Sequence, residues 1–172
     1  MHLWMNWRFT NIHYYYYYDT YIQFWKHNDQ SKTIQHLNGH MKTNSKHDFY
    51  YNIKNSYNME NYLCTLNKDE SGALSKFRLS AHKLEIEKGR YCKPFIPRNE
   101  RLCENCNLQL VEDEKHFLLY CPFYDNSRQQ YLSPFIKPNI TDSIQLNILI
   151  NNVESIVNVG SFVLHAFKKR GI

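Results

Sequence analysis

Cys103, Cys106, His116 and Cys121 stand in the pattern Cys-x2-Cys-x9-His-x4-Cys. Three thiolates and one imidazole are the ligand set of a closed tetrahedral zinc site. A Cys-x2-Cys pair on a tight turn can aim two sulfurs at one ion. The segment EDEKHFLLYC then brings His116 and Cys121 across one helical turn or its frayed end. With all four positions filled by protein groups, none is left for a reactive water. The chemistry implied is structural: a metal that folds the chain rather than one that hydrolyses a substrate.

Disulfide bonding is the competing use of these residues. The chain has five cysteines, at positions 64, 92, 103, 106 and 121, an odd number for a bridged framework. Its first residues, MHLWMNWRFTNIH, show neither the basic start nor the apolar run and small-residue cleavage site of a secretory signal. A reducing, intracellular setting is the expectation, and there Cys-x2-Cys pairs bind metal. Cys64 and Cys92 read as ordinary thiols, not ligands.

The ligands need elements to hold them. Glu112, Asp113 and Glu114 put negative charge at the start of a helix through His116, as the helix dipole prefers. Glu112 stands four residues before His116. It either accepts a hydrogen bond from the ring and orients it, or is an ordinary first-turn acid. Phe117, Leu118 and Leu119 are expected to dock this helix on the one read from SGALSKFRLSAHKL. There Leu74, Phe77, Ala81 and Leu84 recur at spacings of three, four and three on one face, and Ser71 supplies an N-cap. Lys76, Arg78 and Lys83 lie off that stripe and are expected to face solvent. Pro94 and Pro97 mark an extended link into the metal turn, and Pro122 opens a further helix, FYDNSRQQYL.

Upstream, SKHDFYYNIKNSY and MENYLCTLNK suggest two short helices, with Phe49, Ile53, Tyr57, Tyr62, Leu63 and Leu66 as core candidates. Downstream, Thr141, Asp142 and Ser143 offer caps. Val153, Ile156, Val157, Gly160, Val163, Leu164 and Phe167 form a helical stripe that serves the core or a protein partner through the 153–167 helix. Lys168, Lys169 and Arg170 complement the dipole of its last turn, or touch phosphate.

The 172 residues suit one domain with an appendage, and no segment approaches the ~18 uninterrupted apolar residues of a membrane span. The fold class expected is mainly α: a small helical domain over residues 45–172 organised around a Cys-Cys-His-Cys zinc knuckle, the metal module occupying about 100–132. Residues 1–44 are a Tyr-, Asn- and His-rich extension, with five consecutive tyrosines from Tyr14 to Tyr18, expected to be weakly ordered. His36 and His40, at helical spacing in HLNGH, lack a third ligand and a stable helix. The net charge of +5 is concentrated: residues 76–101 carry eight Lys/Arg against three Asp/Glu, 8 − 3 = 5, and the flanking segments cancel. A basic segment directly before a metal module points to a polyanionic partner.

The run LSKFRLSAHKLEIEKGRY and then RNERLCENCNLQLVEDEKHFLLYCPFYDNSRQQYL resembles the zinc-binding tail of reverse transcriptases from non-LTR retrotransposons. The resemblance spans about Ser45 to Arg170 and is most specific between Cys103 and Cys121. It implies that Cys103, Cys106, His116 and Cys121 bind Zn2+, and that the parent element used such a tail near its nucleic-acid template. The polymerase itself is missing: Tyr18-Asp19-Thr20 lacks the second carboxylate of two-metal chemistry, and no paired acidic cluster suits a nuclease. The expectation is a non-catalytic module without a small-molecule substrate. In one reading Lys76, Arg78, Lys83, Lys88, Arg90, Lys93, Arg98 and Arg101 meet an RNA or DNA backbone, largely independently of sequence. In the other the chain is a structural or protein-interaction remnant whose basic segment is merely solvated.

Overall fold

The computed structural model describes residues 48–53 and 59–171. The tyrosine run, His36, His40, Tyr57 and the expected weak order of residues 1–44 lie outside the described residues. Among the described residues seven α-helices follow in order: α1 Asp48–Ile53, α2 Tyr62–Thr65, α3 Lys68–Arg78, α4 Glu85–Lys88, α5 Asp125–Tyr131, α6 Asp142–Asn151 and α7 Val153–Arg170. Among the described residues there is no strand, only one isolated antiparallel bridge, Leu102 to Val111. The mainly α class holds.

The apolar stripe of α7 makes it the central helix, and it packs against α2, α3, α5 and α6. Ile156, Gly160, Val163 and Phe167 from the expected stripe are buried, joined by Val159, Phe162 and Ala166, while Val153 is 66% exposed. Most of the stripe is therefore covered by the chain's own core. Gly160 is where α2's end meets α7: a Cβ there would stand 2.5 Å from Leu66 Cδ1, so the absent side chain lets Leu66 approach. Phe77, Phe117, Tyr124, Phe162 and Phe167 form one aromatic cluster centred on Phe117, whose ring lies 5.3 Å from Phe77, 4.7 Å from Tyr124 and 5.5 Å from Phe162. Burying five such rings supplies a large share of the apolar stabilisation, at about 25 cal/mol per Å2 of surface removed from water.

Two sequence expectations fail at α3. Its N-cap is Asn67 rather than Ser71; the Asn67 side-chain oxygen accepts from the Asp69 and Glu70 amides, both at 3.0 Å. The helix also stops at Arg78 instead of running on to Leu84. Ser80 takes a left-handed conformation, φ 50°, while the Ser80 amide donates to the Phe77 carbonyl and the Ala81 amide to the Lys76 carbonyl. That double bond pattern is the Schellman ending, with serine at the position glycine usually fills. Ala81 is exposed as a result, and Leu84 returns to the core as the residue preceding α4.

Arg78, expected on the solvent side, is 2% exposed. Its guanidinium donates to the Ile150 carbonyl at 2.9 Å and to Glu60 Oε1 at 3.0 Å, fastening α3 to the carbonyl end of α6. The core candidates upstream fare better: Ile53, Tyr62 and Leu66 are buried, and Phe49 and Leu63 pack against the core.

Candidate metal centre

The four ligand residues come from two local structures. Cys103 and Cys106 sit on a hairpin-like turn closed by the Leu102–Val111 bridge, where the Cys103 amide donates to the Leu110 carbonyl at 2.9 Å and the Glu112 amide to the Arg101 carbonyl at 2.9 Å. His116 and Cys121 come from a π-turn, His116–Tyr120, in which the Cys121 amide donates to the His116 carbonyl at 2.8 Å. Five positions along an ordinary α-helix turn through about 500°, leaving the two side chains about 140° apart. Widening the turn to an i to i+5 bond reduces that divergence, so a His-x4-Cys pair can face one point. Asp113 starts the turn by accepting from the His116 amide at 2.8 Å.

The four donor atoms all lie within 4.8 Å of one another. Cys103 Sγ is 3.8 Å from Cys121 Sγ, and Cys106 Sγ is 3.4 Å from His116 Nε2. A tetrahedron with bonds of about 2.3 Å to sulfur and about 2.05 Å to nitrogen has edges of about 3.8 Å between sulfurs and about 3.6 Å between sulfur and nitrogen. The measured edges fit it, and 3.8 Å is far beyond a disulfide bond; all five cysteines are free. Cys103, His116 and Cys121 are buried and Cys106 half-buried, so the group can hold a metal ion with its coordination closed by protein.

The electrostatics favour a cation here. Burial pushes the Cys103 thiol up, with the neighbouring Glu112 charge adding to the effect, and burial likewise raises Cys121. Without a positive ion these sulfurs stay protonated; a metal displaces the protons. Burial lowers His116, outweighing Glu112 and Asp113, and so keeps the ring in the neutral form that ligates.

Glu112 does neither of the things its spacing suggests. It is fully buried, and the second ring nitrogen of His116, Nδ1, has no partner. The Glu112 carboxylate instead accepts from the Glu85 amide at 2.8 Å, stands 3.4 Å from both Cys103 Sγ and Asn105 Nδ2, and pairs with Arg170. Arg170 Nη2 reaches Glu112 Oε2 at 2.7 Å and Glu85 Oε1 at 3.3 Å. Arg170 thus fastens the end of α7 to the back of the cysteine turn, while Lys168 and Lys169 remain exposed. Lys169 is also engaged, donating to the Phe123 carbonyl at 2.6 Å.

Arg128, which no sequence signal marked, braces the other half of the site. It is buried, and donates to the Leu118 carbonyl at 2.8 Å and to the Cys121 carbonyl at 2.9 Å, the latter also accepting from the Tyr124 amide at 3.1 Å. Phe117 and Leu118, between the two ligands, have no exposed surface and lock the turn into the core.

The basic segment divides in half. Arg78 and Arg101 are buried; Arg101 donates to the Ile96 carbonyl at 2.9 Å and the Ile86 carbonyl at 2.7 Å. Lys88 pairs with Glu85 at 2.8 Å and Arg90 with Glu87 at 2.7 Å. Arg78, Arg90 and Arg101 are tied into the fold, whereas Lys88 makes its pair at the surface. Lys76, Lys83, Lys93 and Arg98 are exposed and make no ion pair among the described residues. Comparisons with protein families, characterised proteins and solved structures find no match. No helix of the described residues is long and apolar enough to cross a membrane.

Proposed function

We propose that the chain is a zinc-stabilised, non-catalytic nucleic-acid-binding module, akin to the tail of a retrotransposon reverse transcriptase. The observation that carries the metal is the closed group of three sulfurs and one imidazole nitrogen within 4.8 Å. Soft thiolate donors in tetrahedral array select zinc over hard cations. The support for a polyanionic partner is narrower: the exposed cations Lys76, Lys83, Lys93 and Arg98, which no carboxylate neutralises among the described residues.

Elemental mass spectrometry of the purified chain tests the first half. About one zinc per chain is expected, and Cys106→Ser is expected to lose it. No zinc in either sample would remove the centre. Titration with a labelled oligonucleotide at low and high salt tests the second half, affinity falling steeply as salt rises.

The engagement of Arg78, Lys88, Arg90 and Arg101 within the fold favours a second reading, a protein-interaction module. With the α7 stripe covered, such a partner would use Leu102, Leu108 and Leu110, all exposed around the metal turn. Self-association or partner binding lost in Leu108→Asp, with no affinity for any oligonucleotide, would establish it instead.

A further inference from the structure

The segment between Gly89 and Arg101 is a loop built from inside by one side chain. The Ile96 amide donates to the Gly89 carbonyl at 3.4 Å, closing the loop, and Arg101 lies beneath it with bonds to the Ile96 and Ile86 carbonyls. Gly89 is required there: a Cβ would stand 2.7 Å from Arg101 Cγ and Cδ. Pro94 and Pro97 further restrict the backbone. On this stapled support the chain exposes two aromatic rings, Tyr91 at 68% and Phe95 at 65%. They flank Lys93, and Arg98 follows; both cations are exposed and in no ion pair among the described residues. The Arg101 guanidinium carbon is 5.2 Å from the centroid of the Phe95 ring, a cation held under an aromatic face.

Single exposed apolar residues need no explanation. Two large rings on one fixed loop, with Lys93 between them and Arg98 after them in no ion pair among the described residues, make a more particular surface. Nucleobases present flat π-faces and their backbone presents regularly spaced negative charge, so rings supply stacking and cations supply phosphate contacts. We infer that the Gly89–Arg98 loop is a stacking platform for single-stranded nucleic acid, with bases on Phe95 and Tyr91 and phosphates on Lys93 and Arg98. The inference rests on the nucleic-acid reading above and deepens it: it names an unpaired strand, since bases stacked within a duplex offer the rings no free face.

The test uses the full chain and fluorescence anisotropy with two probes, a labelled oligothymidylate and a labelled duplex of equal length. Tyr91→Ala and Phe95→Ala should each weaken oligothymidylate binding roughly tenfold, and Leu at either position should fail to restore it. Duplex affinity should change little. Both positions are exposed, so the thermal melt should match wild type. Lys93→Gln with Arg98→Gln should reduce the slope of log affinity against log salt by about 1.4 for the single strand. Wild-type affinity for oligothymidylate in the double aromatic variant, with duplex binding intact, overturns the platform and leaves the nucleic-acid reading standing. Equal losses for both probes overturn it too, because stacking on free bases discriminates between them. No binding of either probe to the wild type overturns the platform and the reading together.

Discussion

Glu112 places a carboxylate 3.4 Å from the Cys103 sulfur, the group that must be an anion when a metal is bound. A bound metal would neutralise the thiolate, and Arg170 neutralises the buried carboxylate beside it, so the two anions are each compensated. Arg170→Gln should therefore weaken zinc retention about 10–100-fold, read by competition with a chromogenic chelator. Breaking the pair from one side should also lower stability by about 3–5 kcal/mol in denaturant unfolding. Replacing both partners, Glu112→Gln with Arg170→Gln, should recover part of that loss, a coupling the double-mutant cycle measures directly. The group of four candidate ligands was legible from spacing alone, because soft donors that share one ion occur at few separations. Glu112's partner was not. An i to i+4 relation to His116 carries meaning only inside a helix, and Glu112 lies on the hairpin before the helix begins.

At the scale of elements, the π-turn depends on Arg128, whose guanidinium satisfies the Leu118 carbonyl and adds a second donor at the Cys121 carbonyl. Arg128→Ala should destabilise by about 2–3 kcal/mol and broaden the response of the melt to chelator. The loop beneath Phe95 makes a second claim: Gly89→Ala should cost about 1–3 kcal/mol by displacing the Arg101 stem, although Gly89 has an ordinary helical φ of −63°. Urea titration checks both. The existence of α3 and α7 was readable from apolar periodicity, and the boundary of α3 was not. The periodicity of Leu74, Phe77, Ala81 and Leu84 continues across a chain reversal, and the residue that reverses it is Ser80, which sequence does not mark as left-handed. The fates of Arg78 and Arg101 were hidden for a related reason: only tertiary packing decides that a basic side chain finds carbonyls instead of water.

Across the whole molecule, Ser80, His82 and Glu114 join the end of α3 to the start of the metal turn. The Ser80 hydroxyl donates to Glu114 Oε1 at 2.6 Å, and His82 Nε2 lies 3.1 Å from the same oxygen. Burial alone would raise the Glu114 pKa, but these hydrogen bonds outweigh it and hold the carboxyl below its ordinary range. Such a group contributes stability that is fully present above its unfolded pKa, about 4.5, and is lost as pH falls through the lower folded value. The gap in melting temperature between wild type and Glu114→Gln should accordingly be widest near neutrality and narrow as the solution is acidified below that value. The tie between Glu70 and Ser161 spans 91 positions, and that between Arg78 and Ile150 spans 72, whereas Cys103 and Cys121 are 18 apart. Loop-closure entropy grows with separation, so the metal turn can close before α7 exists to receive anything. During synthesis on a ribosome the Cys103–Cys121 segment can therefore close on itself before the final helix emerges, and the docking of α2, α3 and α5 on that helix comes last. A nascent chain that has captured no ion would hold Cys103, Cys106 and Cys121 as bare thiols while its last 51 residues, 172 − 121, are still being made, open to oxidants before its core can form.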